Sequence, residues 1–79
     1  MTETLGDRIR IERARLRLSQ TELGKLVGLS TNAISLIESG EVDPRASRIV
    51  ALAQALGVSA DYLLGMKDDR SVKRPAAVA

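Results

Sequence analysis

Five arginines crowd the first part of this chain: Arg8, Arg10, Arg13, Arg15 and Arg17, with Glu12 the one acidic residue among them. Such a cluster can neutralise phosphates, or it can be a solvated helix face. A second group is neutral. Thr31, Asn32, Ser35, Leu36 and Ser39 fall close together and carry short side chains suited to the edges of bases. Asparagine can bond adenine bidentately, serine and threonine can bond several bases, and an apolar side chain can touch a thymine methyl. Leu36 is open to two readings, a base contact or an ordinary exposed leucine. Bond-breaking chemistry has little to work with. The 79 residues include no cysteine and no histidine, so disulfides, the usual zinc ligands and the commonest general base are missing. No acid–base pair stands beside a nucleophile. The reading is not an enzyme, with no metal, no cofactor and no small-molecule ligand implied.

Charge enters through its arrangement rather than its total. The net charge is +2, and residues 1–65 carry eight basic and eight acidic side chains. The excess comes from residues 66–79, with four basic and two acidic. Tyr62 is the only aromatic. Modules that read single strands need aromatic platforms on which bases stack, so double-stranded DNA is the more natural partner. No apolar run approaches the ~20 residues that cross a bilayer. The N-terminus lacks a cationic segment followed by an apolar one and does not read as a signal peptide. No membrane role and a cytoplasmic location are expected.

The elements that must position these residues are helical, because apolar residues recur at helical spacing and hardly any segment alternates. Leu5, Ile9 and Leu16 mark one face of a first helix over roughly residues 4–17. Leu23, Leu26 and Val27 mark a second, and Ile34 and Ile37 a third. Ala46, Ile49, Leu52, Ala53 and Leu56 mark a fourth, and Leu63 and Leu64 a short fifth. Ser19 and Glu22 form a capping box, flanked by Leu18 and Leu23 as a hydrophobic staple. The staple recurs as Leu29-Ser30 with Ile34 and as Val58-Ser59 with Leu63. Gly28, Gly40, Gly57 and Gly65 are placed to end helices in the left-handed conformation. Asp43-Pro44 marks the loop into the fourth helix. One domain over residues 1–65 and a flexible basic tail over 66–79 follow.

Residues 19–39 combine these signals. A helix over about 20–27, the turn Gly28-Leu29-Ser30 and a helix over about 31–39 describe a helix-turn-helix, whose second helix enters the major groove in DNA-binding proteins. An αα-hairpin of this kind can also be purely structural. The composition of the third helix favours DNA, because a merely solvated face usually carries Glu, Lys and Arg. Two charges are out of place. Arg13 lies within the apolar stripe of the first helix, and Glu38 lies towards the inner side of the third. Buried charges persist when paired, so an Arg13–Glu38 ion pair is expected to lock the third helix onto the first.

Arg8-Ile9-Arg10, Arg13, Leu18-Ser19-Gln20, Glu22-Leu23, Gly28-Leu29-Ser30, Ile34-Ser35, Ile37-Glu38, Gly40 and Pro44 resemble, in order and spacing, the Cro and lambda-repressor type of helix-turn-helix domain, the XRE family. Leu56-Gly57-Val58-Ser59 and Asp61-Tyr62-Leu63-Leu64-Gly65 look like the end of the same domain. The resemblance implies an all-α domain of five helices with the helix-turn-helix at helices two and three, binding an operator as a dimer. It implies that Gln20 contacts a phosphate. Thr31 and Asn32 would read bases with Ser30, Ser35 and Leu36 nearby, and Ser39 would face the backbone. Arg13 and Glu38 match the family's internal ion pair. Two positions depart. Gly24 stands where the family usually has alanine, which is also small enough for close helix approach, at a propensity cost of roughly 1 kcal/mol. Arg17 replaces the glycine or asparagine often found after the first helix.

The function expected is a sequence-specific transcriptional regulator, a repressor that binds a palindromic operator as a homodimer. The alternative is an antitoxin that binds DNA and also a toxin protein, with residues 66–79 the only candidate for docking it. One recognition helix covers too few base pairs for useful specificity, so a twofold contact is expected away from the third helix, centred on Val58, Tyr62, Leu63 and Leu64. The competing reading is that these four complete the monomer's own core, Leu63 most readily.

Overall fold

The structure, a computed structural model, describes residues 3–66. Among the described residues the chain forms five helices and no strand: α1 (Leu5–Arg15), α2 (Gln20–Val27), α3 (Thr31–Ser39), α4 (Ala46–Leu56) and α5 (Ala60–Leu63). This is the all-α, five-helix architecture expected, with α2 and α3 at the expected positions. Beyond Met66, the tail expected over 66–79 lies outside the described residues.

Hydroxyl caps start four of the helices. The backbone N–H groups of a helix's first turn have no partner within the helix, and a Ser or Thr oxygen can accept from one of them. Ser19 Oγ accepts from Glu22 N at 2.9 Å while Ser19 N donates to Glu22 Oε1 at 2.8 Å. Ser30 and Ser59 accept from Ala33 N and Tyr62 N, each at 3.0 Å. A further capping box, which the sequence reading did not pick out, opens α1 through Thr4 and Asp7. Bonds from the Thr4 and Ser19 backbone N–H groups hold the Asp7 and Glu22 carboxyls below the ordinary carboxylate range. Only α4, after Pro44 and Arg45, starts without a side-chain cap.

Every helix sends one fully buried aliphatic residue to the centre: Ile9, Leu23, Ile34, Leu52 and Leu63. Each such burial removes apolar surface worth roughly 1.5–3 kcal/mol from water. Val27, Ile37, Ala53, Leu56, Val58 and Tyr62 complete the cluster. Four residues expected on apolar faces are exposed: Ala46, the first residue of α4, Leu64, just past the end of α5, and Leu16 and Leu26. Leu16 is exposed because α1 ends at Arg15 and the chain leaves the helical stripe there. Leu26 is exposed because Leu23 and Val27, four residues apart, already take the inward face of α2. The place of Leu16 is taken by Glu12, three residues after Ile9 and only 1% exposed.

The corner after α1 is held by Arg17 in the left-handed conformation, at φ 59°. Arg17 N donates to Ala14 O at 2.9 Å and Leu18 N to Arg13 O at 3.0 Å, which satisfies carbonyls at the helix end. α1 also comes unusually near the C-terminal end of α3. A methyl added to Gly6 would lie 2.4 Å from the Glu38 carbonyl oxygen and 2.6 Å from that of Ile37.

Candidate nucleic-acid interface

α2, the turn and α3 form one hairpin. α2 stops at Val27, Gly28 turns the chain at φ 73°, Leu29 N donates back to Gly24 O at 2.8 Å, and Ser30 caps α3. A side chain at Gly28 would be strained by that φ. Gly24 has a reason of its own. A methyl there would lie 2.3 Å from the Leu29 carbonyl oxygen, so the turn folds onto α2 more closely than alanine permits. Alanine is small enough for α2 to approach α3 but not for this approach of the turn, so the two residues are not equivalent here.

α3 divides into two faces. Ile34, Ile37 and Glu38 are buried against the domain. Thr31, Asn32, Ser35 and Ser39 are exposed, as is the cap residue Ser30, while Leu36 is half-buried. The exposed side carries no formal charge. Two of its hydroxyls have partners that fix their direction. Thr31 Oγ1 lies 2.7 Å from Thr21 Oγ1 on α2, and Ser39 Oγ lies 3.0 Å from both Leu36 O and Glu41 Oε2. Thr21 was not singled out from the sequence. Its signal is its place one residue after Gln20, at the start of α2.

Behind this face, one carboxylate gathers three segments. Arg13 Nε donates to Glu38 Oε2 at 2.7 Å and Arg13 Nη2 to Glu38 Oε1 at 3.1 Å, a bidentate pair. The side chains are 17% and 6% exposed. Arg13 Nη1 donates to Leu18 O at 2.8 Å. The bonds to Glu38 push the Arg13 guanidinium above its ordinary range. Gln20, which the resemblance assigns to a phosphate, donates Nε2 to Glu38 Oε1 at 3.1 Å. Its amide is thus part of this network in the free chain.

The arginine cluster is not one patch. Arg10 pairs with Asp7 at 3.3 Å and Arg15 with Glu12 at 3.5 Å. The Arg8 guanidinium sits 5.0 Å over the ring of Tyr62. Tyr62 donates its hydroxyl to Glu12 Oε2 at 3.0 Å in the interior, joining α5 to α1. Sequence reasoning missed this link, because Glu12 read as one charge opposing the cluster. Of the four residues considered for a twofold contact, Val58, Tyr62 and Leu63 lie in the monomer core. Leu64 is 49% exposed.

A short two-helix hairpin with a glycine turn, a neutral outward face on its second helix and a charged clasp behind it define a helix-turn-helix domain. The helix-turn-helix family matches residues 9–63, and the chain belongs to that family, in its XRE type. It is 46% identical over 63 residues to the repressor protein C2 of Salmonella phage P22, covering 80% of this chain and 29% of that protein. It is 30% identical over 80 residues to the HTH-type transcriptional regulator DicA of Escherichia coli (strain K12), covering 96% of this chain and 59% of that one. The chain thus spans less than two thirds of either relative's length. The crystal structure of the P22 c2 repressor in complex with a synthetic operator superposes with a TM-score of 0.79 at 44% identity, over 84% of this chain and all of that one. Among the described residues no helix is long and apolar enough to cross a membrane.

Proposed function

We propose that this chain is a sequence-specific DNA-binding transcriptional regulator, a repressor, that lays α3 in the major groove of double-stranded DNA. The observation that carries this reading is the division of α3: an uncharged, exposed face of Thr31, Asn32 and Ser35 on a helix clasped from behind by Glu38. A rigid helix with short polar side chains can bring donors and acceptors close to base edges without a charged side chain in between. The operator-bound relative supports the same reading. Ser30 Oγ accepts from Ala33 N and keeps its own hydrogen to donate, while Gln20, bonded to Glu38, and Ser39 lie at the C-terminal end of the helix. The family is one of DNA-binding regulators rather than enzymes, and a regulator of this kind works in the cytoplasm, without a cofactor.

Two copies on a palindromic operator would place their α3 helices about 34 Å apart on one side of the duplex. The test is a binding titration against a duplex selected by the chain and against a scrambled duplex of equal length, at several salt concentrations. The selected duplex is expected to bind at least about a thousandfold more tightly. Equal affinity for both would remove sequence-specific recognition from the function of this chain.

A further inference from the structure

We propose that Arg48 is a positioning residue for the recognition helix, acting through the turn that precedes it. The proposal rests on the DNA-binding reading above. Arg48 lies in the first turn of α4 and donates Nη1 to the Val27 carbonyl oxygen at 3.0 Å. Val27 is the last residue of α2, so its carbonyl has no partner within the helix. A cation there is also favoured by the helix dipole. The bond holds the peptide between Val27 and Gly28, and Gly28 is the residue whose left-handed φ sets the direction in which α3 leaves. A methyl on Gly28 would stand 3.9 Å from Arg48 Nη1, so the guanidinium lies against the turn itself.

The surroundings explain why such a tie matters. α3 is packed on α1 and α2, but on its α4 side the structure has an open groove of about 600 Å³. Leu29, Ala33 and Ile37 line one wall, and Ser47, Arg48 and Ala51 the other. Arg48 crosses from α4 to the turn at the edge of this groove. Thr31 and Asn32 follow the turn directly, so a change in the direction of α3 moves them first. Without Arg48 that peptide is held on one side only, by Gly28 N–H on Gly24 O, which leaves the fold intact and loosens the register of these two side chains.

The test compares wild type, Arg48→Met and Arg48→Lys on the selected duplex and on its scrambled counterpart, with salt series and thermal melts. Arg48→Met keeps the stem and loses the donor. It is expected to weaken binding to the selected duplex about tenfold, the effect of one misplaced base contact, while scrambled-duplex binding and its salt slope stay within twofold. Its melting temperature should fall by only about 4–8 °C. Arg48→Lys keeps a charged donor on a stem of similar length and should restore most of the specific affinity. An equal loss on both duplexes with the salt slope reduced by about 0.9 would identify a phosphate contact instead and overturn the proposal. Unchanged specific affinity in Arg48→Met, or no rescue by lysine, would overturn it as well. A wild type that fails to distinguish the duplexes would remove the DNA-binding reading itself, whereas a discriminating wild type with an indifferent Arg48→Met would remove only the role of Arg48.

Discussion

Glu38 accepts two bonds from Arg13 and one from Gln20, and different replacements remove different parts of that set. Glu38→Ala leaves a mostly buried guanidinium with only the Leu18 carbonyl, at a cost of about 3 kcal/mol. Thermal melts should show a fall of about 10 °C or more, and Glu38→Gln, which keeps a neutral acceptor, should lose less. A melt within a degree or two of wild type would mean the pair carries no stability. The outward residues behave differently. Asn32→Ala should change which duplex a selection returns, weakening a bidentate base contact by roughly 1–3 kcal/mol with no effect on melting. An identical selected site would withdraw its base-reading role. Gln20→Ala should weaken all duplexes alike, since phosphates carry no sequence, and its lost bond to Glu38 should also lower stability by about 1 kcal/mol. At this scale Arg13 and Glu38 were legible because each is a charge at an apolar position of a helix. Glu12 was not. It stands among arginines that disguise its burial, and its partner Tyr62 is 50 residues away, joined to it only by the fold.

Helix boundaries were the most readable elements. A serine after an apolar residue, with a second apolar residue five positions on, places the starts of α2, α3 and α5 because the cap chemistry is local. Periodicity misleads where a helix stops early, as at Leu16, just past the end of α1. The two ends of α1 give a pair of predictions with opposite signs. Arg17 holds a left-handed φ that a side chain resists, so Arg17→Gly should stabilise the domain by about 1 kcal/mol. Gly6→Ala should destabilise it by about 1–3 kcal/mol despite alanine's better helix propensity, because the methyl meets the carbonyl oxygens of Ile37 and Glu38. Urea midpoints at constant slope measure both. A loss in Arg17→Gly or a gain in Gly6→Ala would show that the corner or the α1–α3 approach is looser than described. The α1–α3 approach at Gly6 could not be read from residue types, because close approach of two backbones leaves no pattern in hydrophobicity.

For the whole molecule, Val58, Tyr62 and Leu63 lie in the core, and of the four residues expected at a twofold contact Leu64 is the exposed one. A charge at Tyr62 would unfold the chain before it tested assembly, so the informative variant is Leu64→Asp. Sedimentation with and without a palindromic duplex should show wild type forming a pair at higher concentration or on DNA, and Leu64→Asp binding one copy at a time. Non-cooperative binding by wild type would remove the dimer. A different consequence follows from the two faces of α3. Asn32, nearly two turns from Glu38 along α3, shares no hydrogen bond with its clasp, and effects at distant sites without common partners add nearly independently. Mutations can therefore accumulate on the outer face without first passing through an unstable ancestor. A lineage built on this domain can exchange one operator for another while its scaffold stays nearly unchanged, and divergence in target preference should run ahead of divergence in the clasp.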